Sequence, residues 1–292
     1  MTAVIDQRVV LITGMSRGFG ECLARHFWRA GADLFGVARD GDALGRIAAD
    51  LATDPVRPGQ RVATMAADLA SAAAAPALIA RCLAEFGRLD VLVCNAAIQG
   101  PIGPFHEQDI DAWEATVAAD LVAPVRLVHA ALPRMRAAGG DRSILFLSGG
   151  GATGPRPGFS AYAAAKTALV RFAETLAVEL AGTGISVNCI SPGAMPTAML
   201  AEVAAAGAVQ AGAKEIEASA RAKDNGAAVM QTAARLAVFL AGEGHGITGK
   251  LIAAQWDRWE DWPAHLDELK AGDLYTLRRI TGRDRGIEWG DK

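Results

Sequence analysis

Short apolar runs rich in β-branched residues alternate along the chain with longer amphipathic stretches. Apolar runs of this length are typical of buried strands, whereas apolar positions three and four residues apart are typical of helices. The alternation predicts an α/β fold in which about seven parallel strands form one doubly wound sheet with helices on both faces. In chain order the predicted strands are 8–13, 32–38, 61–66, 89–94, 143–147, 185–190 and 249–254.

Amphipathic stretches between these strands are predicted to be helices. Pro124 and Pro133 are expected to interrupt the longest one, because proline lacks an N–H group and its ring clashes with the preceding helical turn. The predicted helices span 21–30, 42–51, 72–86, 109–135, 160–182 and 227–240.

No composition shift or internal repeat divides this pattern, so residues 1–255 are predicted to form one domain. Within it, the charged, small-residue-rich segment 194–226 is interpreted either as a lid over the substrate or as a solvated surface helix. Residues 256–292 form a tail whose tryptophans are expected to pack on the domain or on a partner subunit. These are Trp256, Trp259, Trp262 and Trp289.

Composition excludes several classes of protein. The 292 residues are 51% hydrophobic, enough for a large core, and a net charge of −3 gives no bulk attraction to nucleic acid or to an anionic membrane. There is no basic-then-apolar start and no apolar run of membrane length, which favours a cytoplasmic protein with small molecules or copies of itself as partners. The histidines form no metal-binding cluster. Buried free thiols are predicted at Cys22, Cys82, Cys94 and Cys189, which lack Cys-x-x-Cys spacing.

Tyr162 and Lys166 are the first candidates for chemistry. Residues four apart lie on one face of a helix, so the phenol and the ammonium can meet in a pocket. A neighbouring cation favours the phenolate, which predicts a phenol able to exchange a proton with a substrate oxygen near neutral pH. The alternative is a half-buried tyrosine followed one turn later by a solvated lysine.

A glycine-rich turn follows the first predicted strand and precedes the first predicted helix. It reads Gly14-Met15-Ser16-Arg17-Gly18-Phe19-Gly20. Strand, glycine turn and helix in this order favour a phosphate cradle, because glycine lets the backbone approach a pyrophosphate whose charge meets the helix N-terminus. A turn that only permits tight strand–helix packing is the alternative.

The end of the second strand bears on which dinucleotide is bound. A dinucleotide-binding fold often places an acidic residue here on the adenosine ribose, but this chain has Ala38 followed by Arg39. A guanidinium suits a 2′-phosphate, and Arg17 can reach the same region, which predicts NADP(H) in preference to NAD(H). The alternative is ribose binding by Asp40, with Arg39 a surface residue.

Other strand ends carry small or polar residues. Asp68 follows the third strand and either caps a helix or contacts adenine, and Asn95-Ala96-Ala97 follows the fourth. Small residues at such an edge allow a flat ring to lie against the backbone, as ligands do in open parallel sheets. Ser148 follows the fifth strand and Pro192-Gly193 the sixth.

These motifs together resemble the short-chain dehydrogenase/reductase family over about residues 7–255, and they occur in the family's order. The resemblance implies a single Rossmann-like domain with Tyr162 as general acid/base, Lys166 on the nicotinamide ribose and a serine, here Ser148, that positions the substrate oxygen. It also implies homodimers or homotetramers formed through the two long helices. The residues expected at the dinucleotide are Gly14, Ser16, Arg17, Gly18, Phe19, Gly20, Arg39, Asp68, Leu69, Asn95, Ala96, Tyr162, Lys166, Pro192, Gly193, Met195 and Thr197.

The chain departs from the family pattern at three places. The family's Asn-Asn-Ala-Gly motif is Cys94-Asn95-Ala96-Ala97 here, a change that keeps small residues under the cofactor. Asp120 replaces the asparagine that holds a relay water, and if ionised it can pair with Lys166 and oppose phenolate formation. The family's serine lies thirteen residues before the tyrosine, where this chain has Gly149, so a one-residue bulge is needed for Ser148 to take the role.

The resemblance therefore implies an NADP-dependent oxidoreductase that interconverts a secondary alcohol and a ketone by hydride transfer. One alternative keeps the cofactor and the tyrosine but ends in epimerisation or dehydration. A second is a dinucleotide-binding sensor without catalysis, for which the altered Asp120 and serine register would account.

Overall fold

Seven parallel strands form one sheet in the computed structural model, which describes residues 5–287. Every predicted strand is found, with ends that shift by no more than two residues, as expected for patterns read from sequence. The strands are β1 (Val9–Thr13), β2 (Asp33–Ala38), β3 (Val62–Ala66), β4 (Val91–Cys94), β5 (Arg142–Leu147), β6 (Ile185–Ser191) and β7 (Leu251–Ala253).

Helices connect the strands, because two neighbouring parallel strands need a crossover connection between them. They are α1 (Gly18–Arg29), α2 (Gly41–Ala52), α3 (Ala74–Phe86), α4 (Ile110–Val117), α5 (Ala123–Ala138), α6 (Ser160–Glu179), α7 (Ala198–Ala211), α8 (Ala213–Leu240) and α9 (Leu266–Ala271). A π-helical turn, Ala118–Val122, joins α4 to α5, and short 3₁₀ turns lie at Phe105–Glu107, Trp259–His265 and Arg283–Arg285.

The strand order is β3-β2-β1-β4-β5-β6-β7. The direction of progression reverses between β1 and β4, and in open α/β sheets a ligand binds in the crevice outside the strand ends at this point. The fold class predicted from the sequence is therefore confirmed, and the sheet brings the ends of β1, β4, β5 and β6 to one edge.

Two apolar cores cover the two faces of the sheet. Along β5, Leu145 and Leu147 face the core shared with α1, α2 and α8, whereas Ile144 and Phe146 face the core shared with α3, α5 and α6. Alternate residues of β5 thus pack into the cores on opposite faces of the sheet, because successive side chains of a strand point to opposite faces. Such burial on both faces explains why the strands read as continuous apolar runs.

The prediction that both prolines interrupt the long helical stretch is wrong for Pro133, whereas a π turn does separate α4 from α5 directly before Pro124. Pro124 lies at the start of α5, directly after the π turn, where the missing N–H is tolerated. Pro133 lies inside α5 with its ring exposed, and the carbonyl it leaves unpaired belongs to His129, which is also exposed and can bond water.

The expectation that no apolar run has membrane length is also wrong on length and composition. The stretch Ile110–Ala138 has 29 residues and is apolar enough to cross a bilayer. In the fold, α5 packs against α3, and α4 packs against α6. Within this stretch 39% of the most apolar window is buried, and a single stretch that meets criteria of length and composition is weak evidence of a membrane span.

Segment 194–226 and the tail both take up helical structure. The first contains α7 and the beginning of α8, which runs without interruption through the predicted boundary at residue 227. In the tail, Trp259 and Trp262 are buried against the domain and Trp256 is exposed. Trp289 lies outside the described residues.

Candidate active site

The glycine turn is held against the end of β4 by Thr13. Its Oγ1 accepts hydrogen bonds from the backbone N–H groups of Asn95 and Ala96, each at 3.0 Å. The Asn95 side-chain amide in turn donates to the Thr13 carbonyl at 2.9 Å. Asn95 and Ala96 therefore form the floor of the predicted cofactor crevice with their backbone. The Asn95 side-chain amide holds this floor against the glycine turn through its bond to Thr13.

Glycine is required at two positions of this turn for different reasons. Gly14 has φ +71°, a conformation that side chains rarely adopt. At Gly20 the obstacle is space, because a Cβ there would lie 2.0 Å from the Gly14 carbonyl oxygen. The backbone is thus folded so closely that the start of α1 faces the crevice directly, as a phosphate cradle needs.

The N-terminus of α1 is open to an anion. Its N-cap is Arg17, whose side chain makes no capping hydrogen bond, so the first N–H groups of the helix are available. Within residues 5–287, the guanidinium groups of Arg17 and Arg39 make neither a hydrogen bond nor an ion pair, and both are exposed. Asp40 caps α2, accepting from the Ala43 N–H at 2.9 Å. These features fit a dinucleotide; after β2, Arg39 has no partner among the described residues and Asp40 uses one carboxylate oxygen as a helix cap.

The other residues expected at the dinucleotide differ in how deeply they are buried. Asp68 is exposed and accepts from the Ala70 N–H at 3.0 Å, so one carboxylate oxygen caps the turn after β3. Leu69 packs on the second core, Phe19 is buried in the first, and Ser16 is half-buried in the glycine turn.

Tyr162, Lys166 and Asp120 come together at the carboxyl edge of the sheet. All three are buried, and the Lys166 Nζ lies 5.4 Å from the centroid of the Tyr162 ring. Asp120 lies in the π turn, and its Oδ2 is 3.4 Å from the Lys166 Nζ. Its Oδ1 accepts from the Ile98 N–H at 2.8 Å, which ties the group to the segment after β4. The ion pair allowed for in the sequence analysis is formed.

Burial raises the pKa of Tyr162 above its ordinary value; Lys166 and Arg156 oppose this rise and Asp120 adds to it. This direction is opposite to the one expected from the neighbouring cation, and the contribution of Asp120 has the sign expected of an ionised carboxylate. Burial also lowers the pKa of Lys166, but Asp120 and Tyr162 outweigh it, so the pKa lies above the ordinary value. Burial raises the pKa of Asp120, with Lys166 opposing.

Ser148 makes no hydrogen bond to the phenol. Its N–H donates to the Ile190 carbonyl at 2.8 Å, which continues the regular pairing of β5 with β6 by one residue. Its Oγ is buried and has no hydrogen-bond partner within residues 5–287. The position that faces the phenol is Gly149, where a Cβ would lie 2.3 Å from the Tyr162 Oη. The regular strand pairing extends through Ser148, and Gly149 is the next residue along the chain.

The segment after β6 closes on the glycine turn. Gly193 has φ +95°, and a Cβ on Gly18 would lie 3.4 Å from the Thr197 methyl group, so Thr197 stands over the predicted pyrophosphate position. Met195 packs against the first core. The Pro192 carbonyl accepts from the Gln255 side chain at 3.2 Å, which anchors the base of the segment.

The structure adds Arg156 and Glu215, which the sequence analysis missed. Arg156 lies in the loop between β5 and α6, and its guanidinium makes two hydrogen bonds to the Glu215 carboxylate on α8, at 2.7 and 3.1 Å. The same guanidinium lies 5.7 Å from the centroid of the Tyr162 ring. The two residues are 59 positions apart, so no local pattern could have linked them.

A doubly wound parallel sheet, a glycine turn open to an anion and a buried Tyr/Lys pair thus meet at the sheet edge where open α/β folds bind their ligands. The family model described as short chain dehydrogenase matches residues 8–208. The chain belongs to this family, as the resemblance of its motifs implied.

Related proteins use more than one cofactor. A cis-4-hydroxycyclohexanecarboxylate dehydrogenase from Sinomonas cyclohexanicum is 33% identical over 245 residues, 83% of this chain and 95% of that protein. An uncharacterized NAD-dependent oxidoreductase of Mycobacterium tuberculosis is 33% identical over 202 residues, 66% of this chain and 73% of that protein. A variant of actinorhodin polyketide ketoreductase, solved with NADPH, has a TM-score of 0.74 at 27% identity, covering 85% and 95% of the two chains.

Proposed function

We propose that the protein is an NADP-dependent oxidoreductase that interconverts a secondary alcohol and a ketone, with Tyr162 as general acid/base. The observation that carries the proposal is the buried Tyr162 phenol beside Lys166 at the edge of the sheet where the dinucleotide cradle also opens. A bound nicotinamide would supply or accept the hydride.

The chain's own residues handle the proton. Tyr162 donates it to the substrate oxygen in reduction and takes it back in oxidation. Lys166 remains charged beside the phenol and opposes the effect of burial on its pKa. Asp120 fixes the position of that ammonium through the 3.4 Å ion pair. Gly149 carries no hydroxyl, so the positioning of the substrate oxygen is proposed for Ser148, whose buried Oγ has no hydrogen-bond partner among the described residues.

The preference for NADP(H) rests on Arg17 and Arg39. Both guanidinium groups are unpaired within the described chain and lie where β1 and β2 end. No carboxylate competes at position 38, and Asp40 is engaged as a helix cap. A 2′-phosphate would gain charge-assisted hydrogen bonds there.

Segment 194–226 is proposed as the lid over the substrate. Phe159, at the start of the helix that carries Tyr162, forms a small apolar cluster with Val203 of α7 and Ala211. The Arg156–Glu215 pair makes a second link between the lid and the loop after β5. These two contacts support the proposal that the lid closes over the loop after β5 and the start of α6.

The direct test replaces Tyr162 by phenylalanine. This change removes the transferable proton and leaves the ring's packing almost intact, so dinucleotide affinity should survive while turnover falls roughly 10²–10⁴-fold. 4-Hydroxycyclohexanecarboxylate is the first substrate to try, because the Sinomonas relative is named for it. Turnover close to wild type in Tyr162→Phe would overturn the mechanism.

A dinucleotide-binding sensor is the second candidate, and Gly149 in place of the family's serine favours it. The two readings separate in one experiment with the wild-type protein. An oxidoreductase consumes NADPH in the presence of a suitable ketone, whereas a sensor binds NADPH and does not consume it with any member of a ketone panel.

A homodimer or homotetramer through the outer faces of α5 and α6 is proposed from the family resemblance. Val178 on α6 is 74% exposed, and the tail lies along the same helix, where Arg171 donates to the Leu277 carbonyl and Arg278 pairs with Glu174. A partner subunit would cover this apolar position. Sedimentation at micromolar concentration should find no monomer.

A further inference from the structure

The Arg156 side chain lines the proposed active site and is held in place by packing. Its guanidinium carbon lies 3.8 Å from the centroid of the Phe159 ring, and its side chain is 14% exposed. A Cβ on Gly150 would lie in ordinary van der Waals contact with the Arg156 Nε, at 3.6 Å, so the guanidinium packs beside the loop after β5. This cation is therefore held by aromatic packing and by the loop itself.

Its counter-ion is held less firmly. Glu215 lies on α8, is 28% exposed, and has no other side-chain partner among the described residues. It can leave Arg156 and be hydrated, whereas Arg156 would remain beside Phe159 and Tyr162. The pair is thus asymmetric: the arginine is part of the site and the glutamate can be exchanged.

We propose that Arg156 binds a carboxylate of the substrate, and that this carboxylate takes the place of Glu215 on the guanidinium. The inference rests on the proposed function, because it assigns the substrate class of the same site: hydroxy acids and keto acids whose carboxylate lies a few bonds from the reacting carbon. The guanidinium lies 5.7 Å from the centroid of the Tyr162 ring, so one small molecule can reach both groups.

The exchange explains why an anion is favoured over a neutral analogue. A carboxylate that replaces Glu215 leaves the number of paired charges on Arg156 unchanged and restores a bidentate contact. An amide or ester offers no charge, so it either leaves the ion pair closed or strips Arg156 of its counter-ion at a cost in free energy. The expected discrimination is at least about tenfold in affinity.

The test measures binding rather than turnover. Acetate, benzoate and cyclohexanecarboxylate are each compared with the matching carboxamide by calorimetry, with the protein saturated by whichever dinucleotide it binds. At least one carboxylate should bind about tenfold tighter than its amide, and Arg156→Met should abolish that difference. None of these probes carries a reacting carbonyl or secondary alcohol, so the result is independent of whether the protein catalyses the proposed reaction.

Glu215→Gln gives the sharper outcome. If Glu215 competes with the ligand, removing its charge should tighten carboxylate binding several-fold, whereas a glutamate that only orients Arg156 would give weaker binding. The matched control is Glu217→Gln, which makes the same charge change on the same helix at an exposed position paired with Arg221. Equal affinity for carboxylates and amides, or weaker carboxylate binding in Glu215→Gln, overturns the proposal.

Discussion

Asp120 Oδ2 and Lys166 Nζ lie 3.4 Å apart in a buried pocket, one turn of α6 from the Tyr162 phenol. The related family has asparagine at this position, so here a neutral relay residue has become the counter-ion of the lysine. The charge of Lys166 is then shared between two anionic partners, the carboxylate and the developing phenolate. Proton transfer at Tyr162 is expected to respond to Asp120 for that reason.

Asp120→Asn should move the pH dependence of oxidation to lower pH. The charged groups that face the phenol are Lys166, Asp120 and Arg156, and of these Asp120 raises the pKa of Tyr162. Removing its charge lowers that pKa, and because the phenolate is the active form in oxidation, the rise in rate should begin at lower pH. In reduction the phenol is active, so the loss of rate at high pH should also begin earlier. Steady-state rates from pH 6 to 10 check this.

The control for Asp120→Asn is Asp111→Asn, which removes one negative charge from an exposed position on α4, in the same helical stretch. It should leave both pH profiles where they are. An Asp120→Asn profile that coincides with wild type would show that the carboxylate is not coupled to the proton transfer.

Gly149→Ala should reduce turnover on the order of 10²-fold, because the new Cβ would lie 2.3 Å from the Tyr162 Oη and has to displace the phenol. Affinity for the dinucleotide should change much less. Gly154→Ala is the matched control, since a Cβ there meets nothing within 4 Å. Single-turnover rates for the two variants measure the difference, and equal rates would mean that the phenol can move without consequence.

The fold was predictable because each strand is buried on both faces and each helix on one. Val10, Leu11 and Ile12 are all fully buried, so the run reads as a strand without any tertiary information. Pro133 could not be placed in the same way. Whether a proline ends a helix depends on which face its ring and the freed carbonyl occupy, and that face is decided by packing against the sheet.

In the candidate site, too, features set by local spacing were predictable, whereas features set by tertiary packing were not. Tyr162 and Lys166 share a helix, and their proximity follows from a spacing of four residues. The direction in which the Ser148 side chain points depends on the register at the end of β5. A shift of one residue there changes which position faces the phenol, and in the structure that position is Gly149. The direction of the Tyr162 pKa depended on how deeply the phenol is buried, a quantity that belongs to the assembled fold.

Arg39→Asp should lower the ratio of kcat/KM for NADPH to that for NADH by about tenfold or more. The guanidinium, which is unpaired among the described residues, would be replaced by a carboxylate that repels a 2′-phosphate. Arg29→Asp makes the same charge change at the far end of α1 and should leave the ratio unaltered. A wild-type protein that uses NADH better than NADPH would contradict the cofactor assignment.

Gly20→Ala should abolish dinucleotide binding and destabilise the fold. The added Cβ would lie 2.0 Å from the Gly14 carbonyl oxygen, and this neighbour is backbone, so the turn or the start of α1 has to move. Overpacking of this kind typically costs about 1–3 kcal/mol in the free energy of unfolding. Gly45→Ala is the matched control, because Gly45 lies inside α2 and a Cβ there meets nothing within 4 Å. It should stabilise the protein by about 0.5–1 kcal/mol, since alanine favours the helix. Chemical denaturation gives both free energies, and NADPH fluorescence titration gives both affinities. Wild-type affinity in Gly20→Ala would mean that the close approach of the two backbone segments is not what forms the cradle.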